Sequence, residues 1–149
     1  MLGKTHVLFG ILCIALSVKY LPIDNLFLYS AFLLIGTLIV DIDSAKSKAG
    51  RKIWPLSAII QFFLKHRGIL HTIWIPLLFY HFVKPVSPDI ALGFAVGYIS
   101  HLFLDTLTVQ GLNLFYPIKY KVRGFMKTGG FIEEIVQLCI VGGIIISLL

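Results

Sequence analysis

The chain has 149 residues, 58% of them hydrophobic and only 13% charged, with a formal net charge of +6 and a mean hydropathy of +0.92. These values lie far outside the range of soluble domains and define an integral membrane protein with room for one domain, residues 1–149. The two cysteines, Cys13 and Cys139, sit inside apolar runs, which excludes a disulfide framework, and basic residues interleaved with long apolar runs argue against nucleic acid as a partner.

In chain order, Lys4 precedes an apolar stretch as in a signal peptide, but no small-residue cleavage site leads into a hydrophilic domain, so this reads as a first, retained span. Apolar runs occur at about 7–21, 26–40, 69–83, 90–107 and 131–149, each near the roughly 20 residues a helix needs to cross a bilayer. The segment 53–64, "IWPLSAIIQFFL", is short and aromatic and reads as an interfacial or re-entrant helix. The fold expected is therefore an all-α integral membrane protein with about five transmembrane helices plus this short helix. "LPIDN" and "KPVSPD" close two hairpins at one side, and the longer loops 41–68 and 108–130 lie at the other.

Lys4, Lys46, Lys48, Arg51, Lys52, Lys65, Arg67, Lys119, Lys121, Arg123 and Lys127 fall on the long-loop side, against Lys19 and Lys84 on the other. Positive charge marks the cytoplasmic side, which puts the N-terminus and both long loops in the cytoplasm of an inner, cytoplasmic membrane.

Placed by depth, the ionisable residues separate into two groups. His6 starts the first span, Asp41 and Asp43 end the second, and His66 and His71 lead into the third. His101 and Asp105 approach the end of the fourth, and Glu133 and Glu134 open the fifth. All of these share the cytoplasmic end, whereas Asp24, His81 and Asp89 belong to the outer one. His101 and Asp105, four apart, share one helix face, so imidazole and carboxylate reach a common cation. Asp41 and Asp43 repel each other unless a cation lies between them. Any one of these is accounted for by an interfacial histidine or a helix-end carboxylate beside lysines; His and Asp residues from four spans meeting at one face point to a metal site. Such ligands suit one or two divalent ions, zinc first, with manganese or iron as alternatives.

The motifs "TH" at 5–6, "DIDSAKSKAG" at 41–50, "HRGILHT" at 66–72, "SHLFLDTLT" at 100–108, "GLNLFYP" at 111–117 and "TGGFIEE" at 128–134 resemble those of the YdjM-type (LexA-regulated) family of membrane-bound metal-dependent hydrolases. The resemblance runs nearly end to end. Val40 departs from the proline common in the family before the paired aspartates, and Ser44 from a frequent histidine. The resemblance implies a metal-dependent hydrolase with distant similarity to zinc-dependent phospholipase C and P1-type nucleases.

Together these readings lead to an expected reaction, hydrolysis of a phosphoester in a lipid or lipid-linked substrate at the cytoplasmic face. His6, Asp41, Asp43, His66, His71, His101 and Asp105 are the expected metal ligands. Arg67 is the expected phosphate clamp, and Glu133 the expected general base or partner of a ligand histidine. Lys119, Lys121 and Arg123, with Tyr116, Tyr120 and Phe125 nearby, are expected to bind the anionic headgroup. The sequence contains no HExxH metalloprotease signature. The competing classes are a metal or proton transporter using the same residues as a relay, and a lipid-binding membrane protein without catalysis.

Overall fold

The computed structural model describes residues 1–43, 69–118 and 120–149, apart from the side chains of Ile42, Asp43 and Ile69. In these residues the apolar runs fold as five helices: α1 (Gly3–Tyr20), α2 (Leu26–Ile39), α3 (Trp74–Val83), α4 (Pro88–Thr106) and α5 (Phe131–Leu148). Short 3-10 turns cover Val40–Asp43 and Ile69–His71. The helix expected at 53–64 lies outside the described residues.

The helix ends follow from turn and cap chemistry. The Asn25 side chain accepts from Leu28 N at 3.0 Å to start α2, and Ser87 accepts from Ile90 N, with Pro88 in the first turn of α4. The run expected as a helix from residue 69 becomes helical only at Trp74. Pro76 accounts for the shift: it has no N–H to bond back to residue 72, so it is accommodated in a first turn and not deeper in a helix.

At the end of the bundle where α2 and α4 begin, Asp89 is buried and its carboxylate accepts from Asn25 N at 2.8 Å and Asp24 N at 3.4 Å, tying the start of α2 to the start of α4. Asp89→Ala leaves these two N–H groups unpaired and is expected to cost about 1–2 kcal/mol. A lower thermal midpoint checks that this acid is structural.

α4 is the centre of the fold, packing most closely against α2 and also against α1 and α3, while α5 packs on α1. Val40, Phe94, Tyr98, Leu102 and Leu112 form the core cluster, with Phe79 of α3 stacked on Phe94 at 3.9 Å. The α2–α4 contact is so close that three glycines are required. A Cβ on Gly97 would come within 3.0 Å of Leu33 Cα, one on Gly93 within 3.2 Å of Tyr29 Cα, and one on Gly36 within 3.2 Å of the Phe94 carbonyl carbon.

The helices carry large exposed apolar side chains, among them Phe27, Phe82, Leu138 and Ile146, as a lipid-facing surface does. Among the described residues, α5 is the one helix both long and apolar enough to cross a bilayer. α2 with 14 residues and α3 with 10 are shorter than a full span, and α1 and α4 carry polar residues at their ends.

Among the described residues, the stretch from Leu107 to Gly130 holds no helix or extended strand. Leu112 and Val122 exchange backbone hydrogen bonds of 2.8 Å each, Val109 N donates to Met126 O at 3.0 Å, and Gly111 takes a left-handed φ of +58°. Trp74 Nε1 donates to Tyr116 O and Ile73 N to Leu114 O, so this loop also fixes the chain leading into α3.

Candidate functional site

Five histidine and aspartate side chains meet at the end of the bundle where α1 begins and α2 and α4 end. His6, His71, His101 and Asp105 are buried, and Asp41 is partly so. Their positions are set by different local devices. His6 lies in the first turns of α1. Asp41 lies in the 3-10 turn that continues α2, its backbone carried by the buried Val40. His71 ends the second 3-10 turn, whose Leu70 carbonyl accepts a hydrogen bond from the Tyr98 hydroxyl of α4.

His101 is the most constrained member. Its Nδ1 is 2.7 Å from the carbonyl oxygen of Thr37 on α2, and because a carbonyl only accepts, Nδ1 must carry the proton. In the neutral ring Nε2 is then a bare lone pair. It is buried and makes no hydrogen bond, and it lies 3.8 Å from Asp41 Oδ1 and 3.8 Å from Asp105 Oδ2. Metal-ligating histidines commonly donate their other ring N–H to a backbone carbonyl in this way.

The His6 ring stacks on His101 with centroids 3.8 Å apart and planes 10° from parallel. His6 Nε2 is 3.3 Å from Asp105 Oδ1, while its Nδ1 is buried without a hydrogen bond. The His71 ring stands edge-on to His101 at 6.0 Å. The Met1 ammonium also contacts Asp105 Oδ1, so the carboxylate already receives positive charge from the chain.

Two sets of donor atoms lie within 4.8 Å of one another: His6, Asp41 and His101, and His71, His101 and Asp105. Both contain His101. Burial pushes the Asp41 carboxyl above the usual carboxylate range; His6 pulls it back, the neighbouring Asp105 adds to the rise, and His71 and the N-terminal ammonium oppose it. A buried and a half-buried carboxylate facing imidazole nitrogens form a donor set that accommodates a divalent cation.

The other expected site residues fall elsewhere. Glu133 is fully buried but is not one of the converging donors. Its Oε1 accepts from Leu2 N at 2.7 Å and Thr5 Oγ1 at 2.5 Å, and its Oε2 from Gly129 N at 2.7 Å. Lys121 and Arg123 are exposed on the 107–130 loop, and Glu134 is exposed on α5. His66, Arg67, Lys119 and the Asp43 side chain lie outside the described residues. Sequence reading passed over Thr37, which acts through its backbone carbonyl and therefore leaves no side-chain signal. It also passed over "GFAVG" at 93–97, a small-xxx-small pattern that does announce close helix contact. In α5, by contrast, a Cβ on Gly142 would meet nothing within 4 Å and one on Gly143 only a Leu12 side chain at 3.4 Å.

Comparison with known proteins agrees with this picture in extent. Over 140 residues the chain is 36% identical to the uncharacterized protein YvsG of Bacillus subtilis, covering 91% of this chain and 87% of that protein. Over 135 residues it is 27% identical to the inner membrane protein YdjM of Escherichia coli, covering 83% of this chain and 69% of that protein. The same figures hold for YdjM of Shigella flexneri. No solved structure matches. The family model described as YdjM inner membrane protein matches residues 1–147, all but the last residue of the helical fold and every residue of the His and Asp cluster, and the chain belongs to that family of membrane proteins.

Proposed function

We propose that this protein is a metal-dependent hydrolase of the membrane, acting on a phosphoester of a lipid or lipid-linked substrate at the cytoplasmic face. The observation that carries the reading is His101, whose Nδ1 is tied to the Thr37 carbonyl and whose buried Nε2 faces Asp41 and Asp105.

Because His101 has one free lone pair, the two donor sets share one ligand atom and so describe a single ion. His6, Asp41, His71 and Asp105 complete its surroundings. A second ion would draw on Asp43 and His66, outside the described residues. When bound, a divalent ion such as zinc supplies Lewis acidity, which activates water and offsets charge on phosphoryl oxygens. The stacked His6 and His101 rings are both buried, which keeps these two donors from bulk solvent. The exposed Lys121 and Arg123, together with Lys119, hold the anionic headgroup, and Arg67 is assigned the phosphate itself. Support for the cytoplasmic orientation is the distribution of lysine and arginine, eleven to two between the two sides.

A proton or metal transporter is less well supported. Between Asp89 and His101, α4 holds no Asp, Glu, Lys, Arg or His, and Asp89 is engaged as a helix cap, so a relay has no steps along this helix.

Hydrolysis of a panel of phospholipids and polyprenyl phosphates, read as release of phosphate or of a phosphorylated headgroup with and without chelator, tests the reading. Chelator-sensitive release is expected from at least one substrate; release from none overturns it. Lys121→Ala and Arg123→Ala are each expected to raise KM roughly fivefold with kcat little changed, as each removes about 1 kcal/mol of surface attraction to anionic lipid.

A further inference from the structure

The Glu133 carboxylate belongs to α5, yet two of its three hydrogen bonds go to the start of α1, to Leu2 N and Thr5 Oγ1. α1 has no side-chain cap of its own, since Leu2 occupies the N-cap position. Glu133 therefore supplies from another helix the acceptor and the negative charge that a helix N-terminus needs. The third bond, from Gly129 N, fixes the carboxylate against the turn before α5, and Gln137, one turn on, donates to Thr5 Oγ1 at 2.8 Å. Thr5 immediately precedes His6, and both are buried. The rotation and height of the first turn of α1, and with them the place of the His6 ring over His101, are set by this clamp.

We infer that Glu133 is a positioning residue that acts through Thr5 and Leu2 to hold His6 in the metal centre. The inference rests on the metal reading above and deepens it. It separates Glu133 from proton transfer: the residue works by aiming a ligand, as partners of metal ligands commonly do, with losses of about 10–100-fold in metal affinity when they are removed.

The test is cobalt titration of the full-length protein in detergent, read by the visible absorption of the bound ion, for the wild type, Glu133→Gln, His6→Ala and the double variant. Glutamine keeps the size of the side chain but has one acceptor oxygen, so it cannot accept from Leu2 N and Gly129 N together, and its NH2 faces an N–H donor at one of them. Glu133→Gln is expected to weaken cobalt binding 10–100-fold and to give the absorption bands of His6→Ala, with the double variant no weaker than His6→Ala alone. Thr5→Val is expected to repeat the effect in part and Thr5→Ser to restore it, which keeps the inference testable if Glu133→Gln fails to fold. Wild-type affinity and spectrum in folded Glu133→Gln overturn the inference while leaving the metal centre standing, as do losses that simply add in the double variant. A wild-type protein that takes up no cobalt overturns the metal reading and the inference with it.

Discussion

Protein purified without chelator is expected to carry about one equivalent of divalent metal per chain, and His101→Ala to carry none. The expectation follows from the geometry of one side chain. Nδ1 spends its proton on Thr37 O, leaving Nε2 as a buried lone pair common to both donor sets. Asp41→Asn removes a donor from one set, so a partial loss of affinity is expected there, whereas loss of His101 dismantles both. An uncompensated Thr37 carbonyl remains in His101→Ala, at a cost of about 1–3 kcal/mol; helicity and detergent elution must therefore match the wild type for the result to count. Elemental analysis of the variants beside the wild type decides it. A metal-free wild type that is folded, or a His101→Ala protein that still holds a full equivalent, removes the basis for hydrolysis.

Much of this site was legible before the fold. Hydropathy located the helices, and the lysine and arginine asymmetry sorted their ends, so His6, Asp41, His71, His101 and Asp105 were brought to one end by topology alone. The i and i+4 spacing of His101 and Asp105 named the pair that now lies 3.8 Å apart. The role of Glu133 was not legible, because which helix end an acid caps depends on the packing of α1 on α5 and not on local sequence. The start of α3 was misplaced for a local reason, a proline read as part of an apolar run and not as a limit on where a helix begins. The anchoring of His101 was hidden differently: it depends on a backbone carbonyl brought within 2.7 Å, and only glycines on the facing helices permit that approach.

Gly97 is accordingly expected to be the least replaceable residue outside the cluster. Its absent side chain lets α4 lie directly against the Leu33 backbone of α2, and four residues along α4 from it stands His101. Across the contact, the Thr37 hydroxyl points to the carbonyls of Leu33 at 2.9 Å and Gly97 at 3.3 Å, and the Thr37 carbonyl receives His101. An alanine at 97 meets backbone, which cannot rotate away, so the helices must separate. Overpacking of this kind costs about 1–3 kcal/mol where side chains can yield, and the upper end of that range or more is expected here. Separation lengthens the His101 to Thr37 bond, frees the ring, and lowers metal affinity with stability. Gly142→Ala is the matched control, since a Cβ there meets nothing within 4 Å and the exchange in a helix interior is expected to stabilise by about 0.5–1 kcal/mol. Thermal midpoints and metal content measured on the two variants should move in opposite directions for stability and diverge for metal, falling with Gly97→Ala and holding with Gly142→Ala. If Gly97→Ala keeps both wild-type values, the close approach of α2 and α4 does not govern the site.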